Sequence, residues 1–100
     1  MTEKKSLERL FSSKSSVKVL SFMLEKGETN ISELVKSTGL SHRSVANAAE
    51  KLSELGVIRE KRFGRIRIYQ TVSDSKLVAL FKTLSKELDE VWEKSNQQSS

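Results

Sequence analysis

The chain has 100 residues, no cysteine, no proline and one histidine, with 18 Lys/Arg against 13 Asp/Glu and a net charge of +5. That length suits one small domain with a modest core, to which dimerisation would add buried area. The lack of cysteine excludes a disulfide framework or a thiolate metal site, and the lone His42 cannot build a zinc site by itself.

Met1 to Lys5 is polar and expected to fray. Ser6 to Phe11 fits a short helical turn with Leu7, Leu10 and Phe11 on one side, too apolar to leave in water. A serine-rich break follows, and Ser15 or Ser16 is expected to cap the first long helix, VKVLSFMLEKG. Its stripe is Val17, Leu20, Met23 and Leu24, widened by Val19 and Phe22, so it should be covered on more than one side. Glu28 to Ile31 suits a short strand that pairs with a later hairpin. Two residues compete to cap the next helix. Asn30 with Glu33 fits a capping box, whereas Ser32 leaves Ile31 as the last buried strand residue; Ser32 is preferred because it fits the pattern of the family that the motif below resembles.

Ile31 to Gln70 reads as helix, tight turn, helix and basic hairpin. In the turn Thr38-Gly39-Leu40-Ser41, Gly39 can end the first helix at positive φ. Leu40 plugs the interhelical angle, and Ser41 caps the second helix. Val45, Ala49, Leu52 and Leu55 then share one face, and Gly56 follows where a helix end wants glycine. The opposite face is polar from the start: His42, Arg43, Ser44, Asn47 and Lys51. Arginine can pair with guanine and asparagine with adenine in a major groove. The first turns of the second helix of a helix-turn-helix are where such side chains meet base edges.

Val57 to Lys61 and Ile66 to Gln70 read as two strands joined by Arg62-Phe63-Gly64-Arg65. Such a hairpin must lean on helices, and Ile58, Ile66 and Ile68 are the expected contacts. Phe63 is expected either to pack back on the hairpin or to wedge against a DNA sugar edge, with packing favoured, and Tyr69 to fill core with its hydroxyl in water. Five cations, Arg59, Lys61, Arg62, Arg65 and Arg67, stand against Glu60. That density suits contact with phosphates or a minor groove. Arg65 is the first choice at the tip, followed by Arg62 and Arg67.

From a cap at Ser73 the chain is expected to be helical to about Lys94. Leu77, Phe81, Leu84, Leu88 and Val91 repeat in alternating steps of four and three, as in a coiled-coil seam. A helix of roughly 30 Å is long for one layer of so small a domain to cover. A partner helix from a second copy is the favoured solution, with Leu7, Leu10 and Phe11 adding to the interface. The organisation expected is therefore a DNA-binding domain over 1–72, a dimerisation helix over 73–95, and a disordered tail over 96–100.

The order I-S-E-L, T-G-L-S-x-x-S-V, L-x-x-L-G-V-I and G-R-x-x-x-Y between Ile31 and Tyr69 resembles the winged helix-turn-helix domains of ArsR/MarR-type regulators and their small archaeal relatives. The resemblance implies a mainly α fold with a small β-hairpin wing, and dimeric binding to double-stranded DNA that usually regulates transcription. Metal-sensing ArsR proteins use Cys and His ligands, and this chain departs from that pattern. The charge distribution points the same way: residues 36–67 carry eight Lys/Arg against three Asp/Glu, while the flanking segments nearly balance. The excess lies on the two elements that would meet phosphates.

No convergent acid, base, nucleophile or metal set is legible, and the four glycines are too scattered for a phosphate loop. An enzyme is not expected, and no cofactor is implied. An effector would have to bind at the dimer interface or be a protein. No apolar run reaches a membrane span and the N-terminus lacks a signal-peptide core, so a cytoplasmic, nucleoid-associated location is expected. The main reading is a sequence-specific regulator. The alternatives are an architectural chromatin or DNA-partition adaptor protein that coats DNA with low specificity, and a winged-helix module for protein partners.

Overall fold

The computed structural model describes residues 5–98; the expected fraying of Met1 to Lys4 and the last two residues of the expected tail lie outside them. Five helices and three strands follow in the order α1 (Ser6–Phe11), α2 (Lys14–Lys26), β1 (Glu28–Asn30), α3 (Ile31–Thr38), α4 (His42–Glu54), β2 (Ile58–Phe63), β3 (Ile66–Thr71) and α5 (Lys76–Gln98). The fold is mostly helical, with a three-stranded antiparallel sheet of order β1-β3-β2 that forms a wing, and a long C-terminal helix.

Three helix starts differ from the sequence reading. Ser13, not Ser15 or Ser16, caps α2: its Oγ accepts from Ser16 N–H at 3.3 Å and donates to Ser16 Oγ at 2.9 Å, which lets Ser16 be buried with its hydroxyl paired. Asn30, not Ser32, caps α3, with its Oδ1 accepting from Glu33 N–H at 2.8 Å. The Glu33 carboxylate accepts from the Thr29 hydroxyl, so one acidic side chain joins strand to helix. Ile31 therefore enters the core as the first helical residue rather than the last strand residue. Ser75 rather than Ser73 caps α5, accepting from Val78 N–H at 3.3 Å. That helix also runs on to Gln98, past the expected end at Lys94.

The helix-turn-helix is α3, turn and α4. Gly39 sits at φ 73°, in the left-handed region that a side chain would strain. The Thr38 hydroxyl secures the turn by donating to Leu34 O at 2.6 Å and accepting from Leu40 N–H at 3.3 Å. The end of α4 is a Schellman motif: Val57 N–H reaches Leu52 O at 3.2 Å and Gly56 N–H reaches Ser53 O at 3.0 Å. Leu52 and Val57 are both fully buried, and this closure sets the angle at which the wing leaves the helix. Leu55, expected on the buried face, is exposed at the cap instead.

The core gathers Val19, Leu20 and Met23 from α2, Ile31 and Leu34 from α3, and Val45, Ala48, Ala49 and Leu52 from α4. Leu10, Val57, Ile58, Tyr69 and Val78 close it. The wing meets the core through Ile58 and Tyr69, as expected, but Ile66 and Ile68 lie on its other face. Cross-strand partners are Ile58 with Thr71, Glu60 with Tyr69, and Arg62 with Arg67, so these share the inner face. Arg59, Lys61, Phe63, Ile66, Ile68 and Gln70 share the outer one. A single-residue change of face reverses every assignment. Burying Tyr69, the largest fully buried side chain, removes more apolar area from water than burying Ile66 would. Thr71 anchors the base of the wing, its N–H donating to Gly27 O at 2.7 Å and its hydroxyl to Met23 O at 2.8 Å.

Only one edge of α5 meets the body, through buried Val78 and half-buried Phe81. Further along, the side turned towards α2 is polar, with Lys82, Ser85 and Asp89 facing Ser21 and Glu25 across an open groove. Leu77, Leu80, Leu84, Leu88, Val91 and Trp92 remain exposed. The radius of gyration, 15.0 Å, exceeds the roughly 13 Å of a compact chain of this length, as a projecting helix requires. In α1, Leu10 belongs to the subunit's own core rather than to an outer surface, while Leu7 and Phe11 stay exposed beside it.

Candidate nucleic-acid interface

Helix α4 presents its polar face as the sequence spacing requires. Ser41, His42, Arg43, Asn47 and Lys51 are exposed and Ser44 is half-buried. Ser41 is committed to the cap: its Oγ accepts from Ser44 N–H at 3.1 Å and donates to Ser44 Oγ at 3.0 Å. The two serine hydroxyls therefore satisfy each other at the mouth of the helix. Ser44, Asn47 and Lys51 turn towards the start of α2 and share a groove of about 220 Å³ with Ser13, Ser15 and Ser16.

On the other side of the same ridge, Glu50 borders a crevice of about 500 Å³ between α4 and the wing. Ala46, Ala49 and Ser53 form its helical wall, and Ile58, Arg59, Glu60, Arg67 and Tyr69 its strand wall. Helix α4 and the wing are thus adjoining walls of one cleft, with Arg43 and Asn47 on the helix's outer ridge. Glu50 and Glu54 fall on that ridge too, seven and eleven residues after Arg43. Neither was expected at this surface, although spacing alone places both there. They place two negative charges on the later turns of the exposed ridge.

The wing arginines divide into two classes. Glu60 holds Arg62 Nε at 2.7 Å and an Arg67 terminal nitrogen at 3.3 Å. The hydrogen bond from Arg62, with Arg67 behind it, keeps the Glu60 carboxyl below its ordinary value of 4.5. The same contact raises Arg67. Arg67 is half-buried on the inner face, with Nε unpartnered and its side chain lining the crevice. Arg65 stands exposed in the two-residue Gly64-Arg65 turn. Gly64 at φ 63°, followed by a residue without positive φ, has the pattern of a type II′ hairpin. Arg62 and Phe63, expected in the connection, are strand residues.

Tyr69 fills the core, but its hydroxyl is buried rather than solvated, and it lacks a hydrogen-bond partner of normal geometry. Burial, chiefly, pushes its pKa up. Phe63 does not pack back: it is 62% exposed, and its partner Ile66 is 57% exposed. Among the described residues no group of His, Cys, Asp and Glu could hold a metal ion, and no helix is long and apolar enough to cross a membrane.

No family model matches the chain, and no curated protein matches it. Among solved structures, it is similar to the AntR antimony-specific transcriptional repressor at 20% identity and a TM-score of 0.72, over 89% of this chain and 78% of that one. Similarity to the Mycobacterium tuberculosis protein Rv0081 extends over 94% of this chain and 98% of that one, at 21% identity and a TM-score of 0.68. A homodimeric winged helix-turn-helix DNA-binding domain from Mycobacterium bovis, Mb0332, aligns with 90% of this chain and 88% of its own at 16% identity, with a TM-score of 0.62. At these identities the likeness carries the fold, and that fold is the winged helix-turn-helix.

Proposed function

We propose that the chain is a homodimeric transcriptional regulator that binds double-stranded DNA. The first two turns of α4 enter the major groove, and the wing lies on the neighbouring backbone and minor groove. The observation that carries the reading is the exposure of His42, Arg43 and Asn47 at the start of a helix whose crevice opens onto a wing with five cations. Arg43 and Asn47, with His42, have the donors and acceptors to read base edges. Lys51 and the start of α4 suit the backbone, and Arg65 suits phosphates at the wing tip. Arg62 and Arg67 reach DNA only on release from Glu60.

The dimer is supported by the exposed stripe of α5, continued by Leu7 and Phe11 of α1. A two-fold axis through α5 would set two α4 helices about one DNA turn apart, roughly 34 Å, and favour a palindromic site. Such a protein works in the cytoplasm, at the nucleoid.

The test is a competition titration of the purified protein against the duplexes it enriches from a random pool, with light scattering on the same sample. A ratio of about 10³ or more over random DNA and a dimeric mass support the reading. A ratio near unity would make the chain a coating or partition protein. No duplex binding at low salt would make it a protein-interaction module.

A further inference from the structure

The wing ends in an apolar pair that packing does not explain. Phe63 and Ile66 face each other directly across β2 and β3, and only Gly64 and Arg65 lie beyond them. Both side chains sit on the outer face of the sheet, away from the core that holds Ile58 and Tyr69. Next on that face come Lys61 opposite half-buried Ile68, then Arg59 opposite Gln70. The tip is therefore an apolar wedge with Arg65 at its point and Lys61 and Arg59 behind it. Leaving two large apolar side chains in water at a hairpin end is unfavourable, because apolar surface is driven out of water.

The charges decide what covers the pair. A second copy docked tip to tip would bring like cations together, which is repulsive. A duplex offers an anionic surface for Arg65 and Lys61, with apolar base faces and sugar edges between its phosphates. Size matters as well. Two paired strands are already about 4.8 Å apart before side chains are added, and the minor groove is only about 6 Å wide. A tip carrying Phe63 and Ile66 enters only if the groove opens, and apolar wedges open it by unstacking a base step.

We propose that Phe63 and Ile66 form a DNA-bending wedge that inserts at a base step in the minor groove beside the site read by α4. Steps that unstack easily, TA and CA/TG, are its preferred targets, so the wing contributes sequence preference without hydrogen bonds to bases. The inference rests on the DNA-binding reading above, and it assigns the wing a role beyond phosphate contact.

The experiment uses duplexes from the enriched pool, end-labelled for energy transfer, with 2-aminopurine placed at candidate steps on both sides of the α4 site. The wild-type protein at saturation should shorten the end-to-end distance, as a bend of about 20–90° requires. It should also raise 2-aminopurine fluorescence at one step. A Phe63→Ser/Ile66→Thr double variant should still bind but leave the duplex straight and the probe dark, while Arg65→Ala should bind more weakly yet bend fully at saturation. Wild-type binding with a straight duplex and a dark probe overturns the wedge and leaves the DNA-binding reading intact. Absence of wild-type binding to any duplex overturns both. The probe measurement needs no variant, so a fold lost on substitution cannot mask the answer.

Discussion

Glu60 restrains the wing, and replacing it should release two cations. In Glu60→Gln the charge that holds Arg62 at 2.7 Å and Arg67 at 3.3 Å is removed while side-chain size is kept. Each cation that then meets a phosphate steepens the dependence of log K on log salt by about 0.9. Two freed arginines give a slope steeper by about 1.8, an additional loss of roughly tenfold in affinity between 50 and 200 mM salt. The cost to the fold is small, because exposed ion pairs contribute about 0.2–1 kcal/mol each. Fluorescence anisotropy titrations of one duplex at four or five salt concentrations read the slope directly. An unchanged slope, with the variant folded, would refute the idea that Glu60 withholds these side chains from DNA.

The same carboxylate predicts a pH dependence of stability. Arg62 first, and then Arg67, hold the folded-state value of Glu60 below 4.5. The unfolded chain therefore binds the proton more readily, and the stabilisation is present above about pH 4.5 and lost as pH falls through the folded value. Glu60→Gln should flatten the acid limb of a denaturation series in that window and change nothing near neutrality beyond the loss of the pairs.

The remaining predictions concern reading, restraint, assembly and core. Arg43→Ala should weaken binding by about 1–3 kcal/mol and relax preference at one base pair, measured by titrating single-base variants of the site; unchanged affinity and preference would remove Arg43 from base reading. Glu50→Gln should raise affinity for random DNA by taking a negative charge from the exposed ridge; weaker binding would instead mark Glu50 as a reader of cytosine. Leu84→Glu should dissociate the dimer, losing roughly 3–6 kcal/mol over two copies at about 1.5–3 kcal/mol per buried leucine, visible by sedimentation; an intact dimer would move the interface off α5. Tyr69→Phe should leave stability within about 1 kcal/mol of wild type in urea unfolding, since the buried hydroxyl it removes has no hydrogen bond of normal geometry; a loss of about 1–3 kcal/mol would mean the hydroxyl is satisfied.

Much of this architecture is legible in the residues because local signals agree with one another. The helix-turn-helix combines Gly39, Leu40 and Ser41 with apolar spacing on either side, and each element independently demands the same turn. The wing was legible as a hairpin but not in its facing. Ile66, Ile68 and Tyr69 satisfy two opposite alternations, and the choice between them depends on which side chain fills the space beneath α4, a tertiary quantity. The caps failed for a related reason. Runs such as Ser12–Ser16 and Thr29–Ser32 offer several hydroxyl or amide acceptors, and only the neighbouring burial of Ser16 and Ile31 selects one. Glu60 was visible as one acid among five cations. Its engagement of two of them follows from the cross-strand register, which places it beside Arg62 and opposite the strand that carries Arg67.

On the proposed DNA-binding reading, the short base-reading surface of α4 favours a dimer for specificity. On that reading each copy offers two well-suited base readers on α4, Arg43 and Asn47. At about 1–3 kcal/mol each they discriminate by roughly 2–6 kcal/mol. A functional site needs about 4–10 kcal/mol over random DNA, which one subunit barely reaches and two reach comfortably. The exposed stripe on α5 and the short reading surface on α4 are therefore two halves of one argument. A protein that stays monomeric on DNA and still discriminates by about 10⁵ or more, beyond the roughly 6 kcal/mol that two base readers supply, would break it.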